Sequence, residues 1–221
     1  MSATPDGPRV AVVDYGAGNL VSIEQALLSV GARPERATGP GDLEGADLVV
    51  VPGVGAAAPA MERLHAQGLV DPVRRWIEAD RPFLGICLGL QLLFDGSDED
   101  GATTLGVLPG RTRRLADAPT LPHIGWNQVE RLRAHPAFEG IAPRADFYFV
   151  HSYVGLPGGT AAQDAVLAET EHGSWFVSAV ALGRLLGVQF HPERSGTDGL
   201  RLVANVVGLA TADADARRSA A

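Results

Sequence analysis

The sequence predicts an α/β fold: an open, mixed sheet with helices on both faces and an antiparallel, strand-rich extension in the C-terminal half. In the N-terminal half, short apolar and β-branched runs alternate with amphipathic helical segments, and glycine-containing turns separate them. From Leu105 to Gln189, by contrast, short β-rich runs follow one another with little helix between them. Such spacing is typical of hairpins added to a parallel sheet.

The composition is that of a globular chain, because 46% of its 221 residues are hydrophobic and 20% are charged. We expect one domain over residues 1–210 and a disordered tail over residues 211–221, which show no apolar stripe.

The net charge of -8, without a basic stripe, disfavours nucleic acid and anionic membranes as partners. A single cysteine excludes an internal disulfide, and no signal peptide or transmembrane run is present, so we expect a cytoplasmic protein.

The predicted elements follow in order along the chain. We predict strands at residues 9–14, 35–37, 47–51 and 83–86, separated by helices at residues 19–30, 61–67 and 72–79. We then predict strands at residues 111–115, 124–132, 146–152, 166–171, 174–181 and 185–190, closed by a helix at residues 199–209. The first strand runs into a glycine turn, but Val21 stands where a dinucleotide-binding turn has its third glycine, so we discount such a site.

The stretch from Phe83 to Phe94, FLGICLGLQLLF, indicates a nucleophile elbow. It consists of a buried strand, a tight corner at Cys87 and a helix that begins at Leu88. Gly85 and Gly89 flank the cysteine in the G-x-nucleophile-x-G pattern, and glycine allows the close backbone approach that such a corner needs. The helix N-terminus beside the thiol favours a thiolate. The alternative is an inert, buried cysteine that packs as a small hydrophobic side chain.

A cysteine nucleophile needs a base, and the base needs a group that orients it. His191 follows a strand and precedes Glu193 by two residues, and in an extended segment residues two apart point the same way. The sequence therefore predicts a catalytic triad of Cys87, His191 and Glu193, in an order that differs from that of α/β-hydrolases. An ordinary strand-end histidine is the alternative. A metal site is disfavoured, because the chain has one cysteine and no H-E-x-x-H motif.

Several segments resemble known enzymes. GICLGLQ (residues 85–91) and HPE (residues 191–193) resemble the triad-type, class I glutamine amidotransferases. Four further segments are similar to the family of glutaminase subunits of imidazole glycerol phosphate synthase: DYGAGNLVS (14–22), PHIGWNQV (122–129), FYFVHSY (147–153) and HPERSG (191–196). The resemblance covers nearly the whole chain and implies a flavodoxin-like open sheet. Where the family commonly has Lys, this chain has Arg194, which bears on partner contacts more than on the chemistry.

The resemblance implies roles for individual residues. The Cys87 thiolate would attack the side-chain amide of glutamine, and the backbone of Leu88, Gly53 and Val54 would hold the oxyanion. The Gly53–Val54 peptide would point away until the partner binds, which would explain the low basal activity of the family. The residues expected to bind the substrate are Gly53, Gly55, Gln91, His151, Ser152 and Tyr153.

The resemblance also implies a partner. The family delivers ammonia to a separate (β/α)8-barrel cyclase subunit, so we expect a heterodimer, with Asn19, Trp126 and Arg194 as interface residues. No cofactor or metal is expected.

Three other functions stay open on sequence grounds. The first is the glutaminase subunit of pyridoxal-phosphate synthase, although its elbow usually reads GTCAG and it lacks a counterpart of PHIGWNQV. The second is a catalytically silent regulatory protein of the same fold, which the intact triad disfavours. The third is a free-standing cysteine hydrolase or peptidase.

Overall fold

The computed structural model describes residues 7–16, 18 and 20–220, with the backbone alone described for residues 215–220. The strands are β1 (Arg9–Val13), β2 (Arg33–Ala37), β3 (Leu48–Gly53), β4 (Phe83–Cys87), β5 (Gly96–Ser97), β6 (Gly110–Arg114), β7 (His123–Gln128), β8 (Glu130–Arg131), β9 (Asp146–His151), β10 (Tyr153–Pro157), β11 (Val166–His172), β12 (Ser174–Leu182) and β13 (Leu185–Val188). The α-helices are α1 (Leu20–Ser29), α2 (Ala57–Ala66), α3 (Val70–Glu78), α4 (Leu88–Gln91), α5 (Thr160–Asp164) and α6 (Gly196–Ala220). Short 3₁₀ helices cover Pro40–Leu43, Pro136–Phe138 and Pro192–Arg194.

The main sheet has eight strands in the order β2-β1-β3-β4-β13-β12-β11-β8. The first five are parallel to one another, and the last three continue the sheet by antiparallel pairing. The mixed sheet and the parallel order expected of a flavodoxin-like fold are therefore confirmed. In such a sheet, functional groups collect at the carboxyl ends of the parallel strands.

Alternation along the central strands builds a core on each face of the sheet. In β1, Val10 and Val12 belong to a cluster with buried residues of α1 and α6. Ala11 and Val13 belong to a second cluster with buried residues of α2 and α3. Because successive side chains of a strand point to opposite faces, one buried strand supplies both cores. The predicted helices on both faces are thus confirmed.

The strand-rich C-terminal half differs in detail from the expected extension. Of the strands in this half, β13 completes the parallel part of the main sheet, and β12, β11 and β8 extend it by antiparallel pairing. Strands β10, β6 and β5 form a second sheet, and β7 pairs with β9 in a third. The second sheet packs directly on the elbow segment, because a Cβ added at Gly155 would lie 2.0 Å from the ring of Phe94.

Helix α6 extends through residues 211–220, where the sequence predicted a disordered tail. Ala210 and Ala214 are buried in this part of the helix. Asp213 forms an ion pair with Arg184, with 2.5 Å between the Asp213 Oδ1 and Arg184 Nη2 atoms. Alanine has the highest intrinsic helix propensity, and small buried residues leave no visible apolar stripe in the sequence. Among the described residues, no helix is both long and apolar enough to cross a membrane.

Candidate active site

The corner between β4 and α4 places Cys87 in a strained backbone conformation. Its φ of 53° and ψ of -104° lie outside the regions that side-chain-bearing residues ordinarily occupy. Such a conformation costs about 1–3 kcal/mol and persists only where the surrounding structure imposes it. A strained residue at the corner is the signature of the predicted nucleophile elbow.

The two flanking glycines are required by backbone contacts. A Cβ added at Gly89 would lie 1.8 Å from the carbonyl oxygen of Val51 in β3, and one added at Gly85 would lie 2.7 Å from the carbonyl oxygen of Gly89. Neither neighbour can rotate away, because both are main-chain atoms. The close backbone approach predicted from the glycine pattern is therefore present on both sides of Cys87.

Helix α4 is shorter than the sequence suggested, with four residues from Leu88 to Gln91. The loop at residues 105–108 takes over the carbonyl groups that a longer helix would use, since its N–H groups donate to Leu92, Leu93 and Phe94. One helical turn carries little macrodipole. Stabilisation of a thiolate must therefore come mainly from individual neighbouring groups rather than from the helix as a whole.

His191 and Glu193 lie at the end of the strand next to the elbow. Strand β13 pairs with β4, with Val188 opposite Ile86. His191 therefore follows at the carboxyl end of the parallel strands, where Cys87 also lies. The Nδ1 atom of His191 lies 2.8 Å from the Oε1 atom of Glu193, and both side chains are buried. The contact is as predicted, but its geometrical reason was wrong. The segment turns into the 3₁₀ helix Pro192–Arg194 rather than continuing as an extended chain.

The electrostatics favour a protonated His191. Burial alone would lower the pKa of this imidazole, but its interactions with Cys87 and Glu193 outweigh burial and raise the pKa. Its Nε2 atom is buried and has no hydrogen-bond partner that meets normal geometry among the described residues. Because Nδ1 is bonded to Glu193, Nε2 is the ring nitrogen left to exchange protons.

Sequence reasoning missed Gln189, which is completely buried beside the cysteine. Its Nε2 atom lies 3.5 Å from the Cys87 sulfur, and its Oε1 atom lies 3.1 Å from Nε2 of Gln91. Gln91 was predicted to bind the substrate, and it does line the cavity beside the cysteine. Its side-chain nitrogen, however, is occupied by Gln189 and by the carbonyl oxygen of Tyr153, at 2.8 Å.

A cavity of about 310 Å³ opens beside Cys87, which suits a small polar ligand. Of the residues predicted to bind the substrate, Gly55, Gln91, His151, Ser152 and Tyr153 line it, together with Val54. Glu99 also lines it and was missed, because a carboxylate in an acidic loop carries no sequence signal. Burial, and then the neighbouring Asp100, raise the pKa of Glu99.

His151 lines the cavity, but both of its ring nitrogens are bonded within the protein. Nδ1 lies 3.1 Å from the carbonyl oxygen of Tyr153, and Nε2 lies 3.1 Å from Nδ1 of His123. Burial, together with the charge of the neighbouring histidine, lowers the pKa of His151 to about 3. Burial and His172 lower the pKa of His123 to about 4. Any contact of His151 with a ligand would therefore use its backbone or its ring face.

The residues expected at an oxyanion site are close to the nucleophile. Gly53 ends β3 directly opposite Cys87 in the sheet register, and it is buried rather than lining the cavity. Val54, the next residue, is 45% exposed. Leu88 begins α4, so its N–H has no partner within the helix. A Cβ at Gly53 would lie 2.1 Å from the Tyr15 hydroxyl, which explains the need for glycine.

Two of the expected interface residues are exposed near this edge. Trp126 in β7 is 57% exposed, and its ring meets the edge of the Tyr148 ring at 6.1 Å between centroids. The guanidinium of Arg194 lies 4.2 Å from the centroid of Tyr148. The third expected residue, Asn19, lies outside the described residues. Within the described part of the chain, no three His, Cys, Asp or Glu side chains form a group that could hold a metal ion.

Comparison with known proteins identifies relatives over most of the chain. The family model "Glutamine amidotransferase class-I" matches residues 11–207. "Imidazole glycerol phosphate synthase subunit HisH" of Dehalococcoides mccartyi (strain CBDB1) is 42% identical over 205 residues, which cover 92% of this chain and 98% of the relative. The protein of the same name from Symbiobacterium thermophilum is 47% identical over 200 residues, with 89% of this chain and 92% of the relative covered.

Solved structures share the fold at lower identity. "Crystal structure of glutamine amidotransferase" matches with a TM-score of 0.72 at 24% identity, covering 91% of this chain and 98% of the other. "Structure of PurLQS from Thermotoga maritima" matches with a TM-score of 0.71 at 18% identity, covering 92% and 99%. These two structures support the fold alone.

Proposed function

The chain belongs to the class I glutamine amidotransferase family and, within it, to the HisH subunits of imidazole glycerol phosphate synthase, and on that premise we propose that it hydrolyses L-glutamine to glutamate and ammonia. The observation that carries the proposal is the strained Cys87 beside the buried pair of His191 and Glu193, at one edge of the sheet. The named relatives favour this function over the glutaminase of pyridoxal-phosphate synthase.

The first half of the reaction uses Cys87 and His191. The Cys87 thiolate attacks the side-chain amide carbon of glutamine, and a tetrahedral intermediate with a negative oxygen forms. His191, held protonated by its interactions with Cys87 and Glu193, donates its proton to the leaving nitrogen, and ammonia departs. The product is a glutamyl thioester on Cys87.

The second half regenerates the enzyme. Neutral His191 takes a proton from water as the water attacks the thioester carbon, and the C–S bond then breaks with its electron pair returning to sulfur. Glutamate leaves, and the thiolate and imidazolium are restored. Glu193, 2.8 Å from Nδ1, keeps the ring oriented and stabilises its positive charge in both halves.

The tetrahedral oxyanion needs backbone donors. Leu88 is one, because its N–H begins α4 beside the nucleophile. The Gly53–Val54 peptide is the second, since Gly53 lies opposite Cys87 in the register of β3 and β4. If this peptide turns its N–H toward the site only when the partner binds, the subunit has low glutaminase activity on its own. The absence of one such donor raises the barrier by about 2.7–4 kcal/mol.

The substrate's α-ammonium and α-carboxylate groups need opposite partners. Glu99 is the acidic side chain that lines the cavity, so we assign it to the α-ammonium group. Ser152 and the backbone around Gly55 offer hydrogen-bond donors for the α-carboxylate. Gln91 shapes the cavity wall, with its side-chain nitrogen already bonded to protein.

The ammonia has a destination outside this chain. Protonated ammonia is not a nucleophile, so free release into water would waste it, and delivery to a (β/α)8-barrel cyclase subunit avoids this loss. The cyclase would use it to make imidazole glycerol phosphate and aminoimidazole-carboxamide ribotide in histidine biosynthesis in the cytoplasm. The exposed Trp126 and the stack of Arg194 on Tyr148 provide an aromatic and cationic surface for that heterodimer, with Asn19 as a further interface residue.

Glutamate release, measured with and without the cyclase subunit and its nucleotide substrate, tests the proposal. We expect slow release by the chain alone, a large stimulation in the complex, and none with Cys87→Ala. Thr170→Val is a matched control, because it removes a buried hydroxyl that has no partner among the described residues. A complex that binds nucleotide yet releases no glutamate would refute the glutaminase function, and high basal activity unchanged by the cyclase would refute the gating.

A further inference from the structure

The buried amide of Gln189 lies against the nucleophile. Gln189 follows β13, precedes His191 by two residues and is 0% exposed. Its backbone N–H donates to the carbonyl oxygen of Ser178 at 2.9 Å, so the sheet fixes the position of the residue. Its side-chain Nε2 lies 3.5 Å from the Cys87 sulfur. Because burying an amide is costly unless its polar atoms are bonded, the sulfur is a significant partner.

The neighbouring hydrogen bonds determine which end of the amide faces the sulfur. The carbonyl oxygen of Tyr153 can only accept, so the Gln91 atom 2.8 Å from it is the nitrogen. The same nitrogen lies 3.1 Å from one terminal atom of Gln189, which is therefore an oxygen. The remaining terminal atom of Gln189 is the NH₂ group. One backbone carbonyl thus orients two amides in series and directs an N–H at Cys87.

We propose that Gln189 is a catalytic residue whose amide N–H donates to the Cys87 sulfur and stabilises the thiolate. A thiolate accepts this hydrogen bond better than a thiol does, so the bond favours the reactive form. It also acts when the glutamyl thioester is hydrolysed. As the C–S bond breaks and its electron pair returns to sulfur, the N–H meets the charge that develops there. The second role rests on the glutaminase function proposed above.

The short α4 gives this donor its importance. A helix of one turn supplies little dipole at the corner, so individual donors and charges must hold the thiolate. His191 supplies the charge, and Gln189 supplies a neutral donor that keeps its proton at every pH. Only Phe190 separates Gln189 from His191 in the sequence, so one short segment brings both the neutral donor and the positive charge to the sulfur.

Alkylation by iodoacetamide, followed at the peptide that carries Cys87, tests the proposal, because Cys87 is the only cysteine of the chain. The wild type is compared with Gln189→Met, which removes both polar atoms, and with Gln189→Glu, which keeps the acceptor for Gln91 but replaces the donor. At pH 6 we expect alkylation about tenfold slower in Gln189→Met and slower still in Gln189→Glu. At pH 9 the rates of wild type and Gln189→Met converge, because the thiolate then forms without help.

A structural role would give a different result. Loss of packing alone would change the melting temperature without moving the pH dependence of alkylation. Superimposed pH profiles for wild type and Gln189→Met would overturn the proposal. If Gln189→Met fails to fold, the pH profile of alkylation in Gln189→Glu decides the question. A profile like that of the wild type overturns the proposal. All variants share the other ionisable groups that face the sulfur or its cavity: Tyr15, Glu99, His151, Tyr153 and His191.

Steady-state glutaminase assays of the complex with cyclase and nucleotide provide a second readout. We expect kcat of Gln189→Met to fall about tenfold with KM within about twofold, because the bond is to the nucleophile and not to the substrate. The two readouts separate the two proposals. A shifted alkylation profile in a protein without glutaminase activity supports the role of Gln189 at the thiolate and refutes the proposed function. If the wild type turns over glutamine normally and the alkylation profiles of the variants are unshifted, the role of Gln189 is refuted and the proposed function stands.

Discussion

The hydroxyl group of Tyr15 donates a hydrogen bond of 2.9 Å to the carbonyl oxygen of Pro52. Burial raises the pKa of Tyr15, and Cys87 raises it further, so the hydroxyl is a neutral donor at ordinary pH. Because Pro52 immediately precedes Gly53, the bond joins the loop after β1 to the peptide that we propose as an oxyanion donor. Tyr15 thereby couples a surface loop to the centre of the reaction.

We predict that Tyr15→Phe lowers kcat for glutamine about tenfold in the complex with cyclase and nucleotide, with little change in KM. The phenyl ring preserves the packing, so only the restraint on the Pro52 carbonyl is lost. Steady-state kinetics would measure the effect, and a thermal melt would check that folding is intact. Unchanged kcat in a normally folded variant would show that the hydroxyl does not position the loop.

The elbow glycines should be intolerant of any side chain. We predict that Gly89→Ala destabilises the protein by several kcal/mol or prevents folding, because its Cβ would lie 1.8 Å from a backbone oxygen of β3. Gly208→Ala is the matched control: apart from its chain neighbours and the nearby backbone of its own helix, no atom lies within 4 Å of its added Cβ, and it is exposed on α6. The control should be neutral or stabilise by about 0.5–1 kcal/mol. Urea denaturation measures both, and equal stability of the two variants would contradict the elbow geometry.

Glu193→Gln should reduce turnover and alter its pH dependence. Glu193 helps to raise the pKa of His191, so its neutralisation lowers that pKa. The imidazolium needed to protonate ammonia is then lost at a lower pH, and the alkaline limb of the kcat profile moves toward neutrality. We expect kcat to fall about a hundredfold at pH 8.

Glu130→Gln is the control for this variant, because Glu130 forms a surface ion pair with Arg144. It should leave the profile unchanged. A reduction of kcat in Glu193→Gln with no movement of the alkaline limb would mean that Glu193 acts only by orienting the ring.

Stability should fall in acid because of the two neutral, buried histidines. The pKa values of His123 and His151 are lowered from 6.5 to about 4 and about 3 in the folded protein. Below pH 6.5 the unfolded chain binds protons that the folded chain does not, so their contribution to stability is full above pH 6.5 and declines as pH falls toward 4. Each histidine adds a slope of up to about 1.4 kcal/mol per pH unit.

Urea denaturation between pH 4.5 and 7 would measure this slope. His123→Asn should reduce it, whereas His65→Asn, which alters an exposed residue of α2, should not. His135 adds to the slope in all variants, because burial and then Arg133 lower its pKa as well. A stability that is independent of pH in this range would contradict neutral burial of the histidine pair.

The chemistry of this chain is more readable from its sequence than its detailed architecture is. Cys87 could be identified because its corner requires two glycines at fixed offsets, and His191 because a carboxylate follows two residues later. Gln189 could not, since a glutamine at the end of an apolar strand has no distinctive pattern until the fold brings Gln91 to it. The place of β7 and β9 outside the main sheet was hidden too, because alternation specifies a strand's faces but not its neighbours.

The pairing of β4 with β13 has a consequence for the evolution of such enzymes. The residues that carry the sulfur and the imidazole leave two adjacent strands, whose separation of about 4.8 Å is the same in every sheet. Backbone hydrogen bonds thus fix the spacing of the two segments, and the 2.9 Å bond from the His191 N–H to the Tyr148 carbonyl oxygen holds the turn that follows β13. Loops and surfaces around this pair can diverge to suit new acceptors of ammonia while the reacting atoms stay in place.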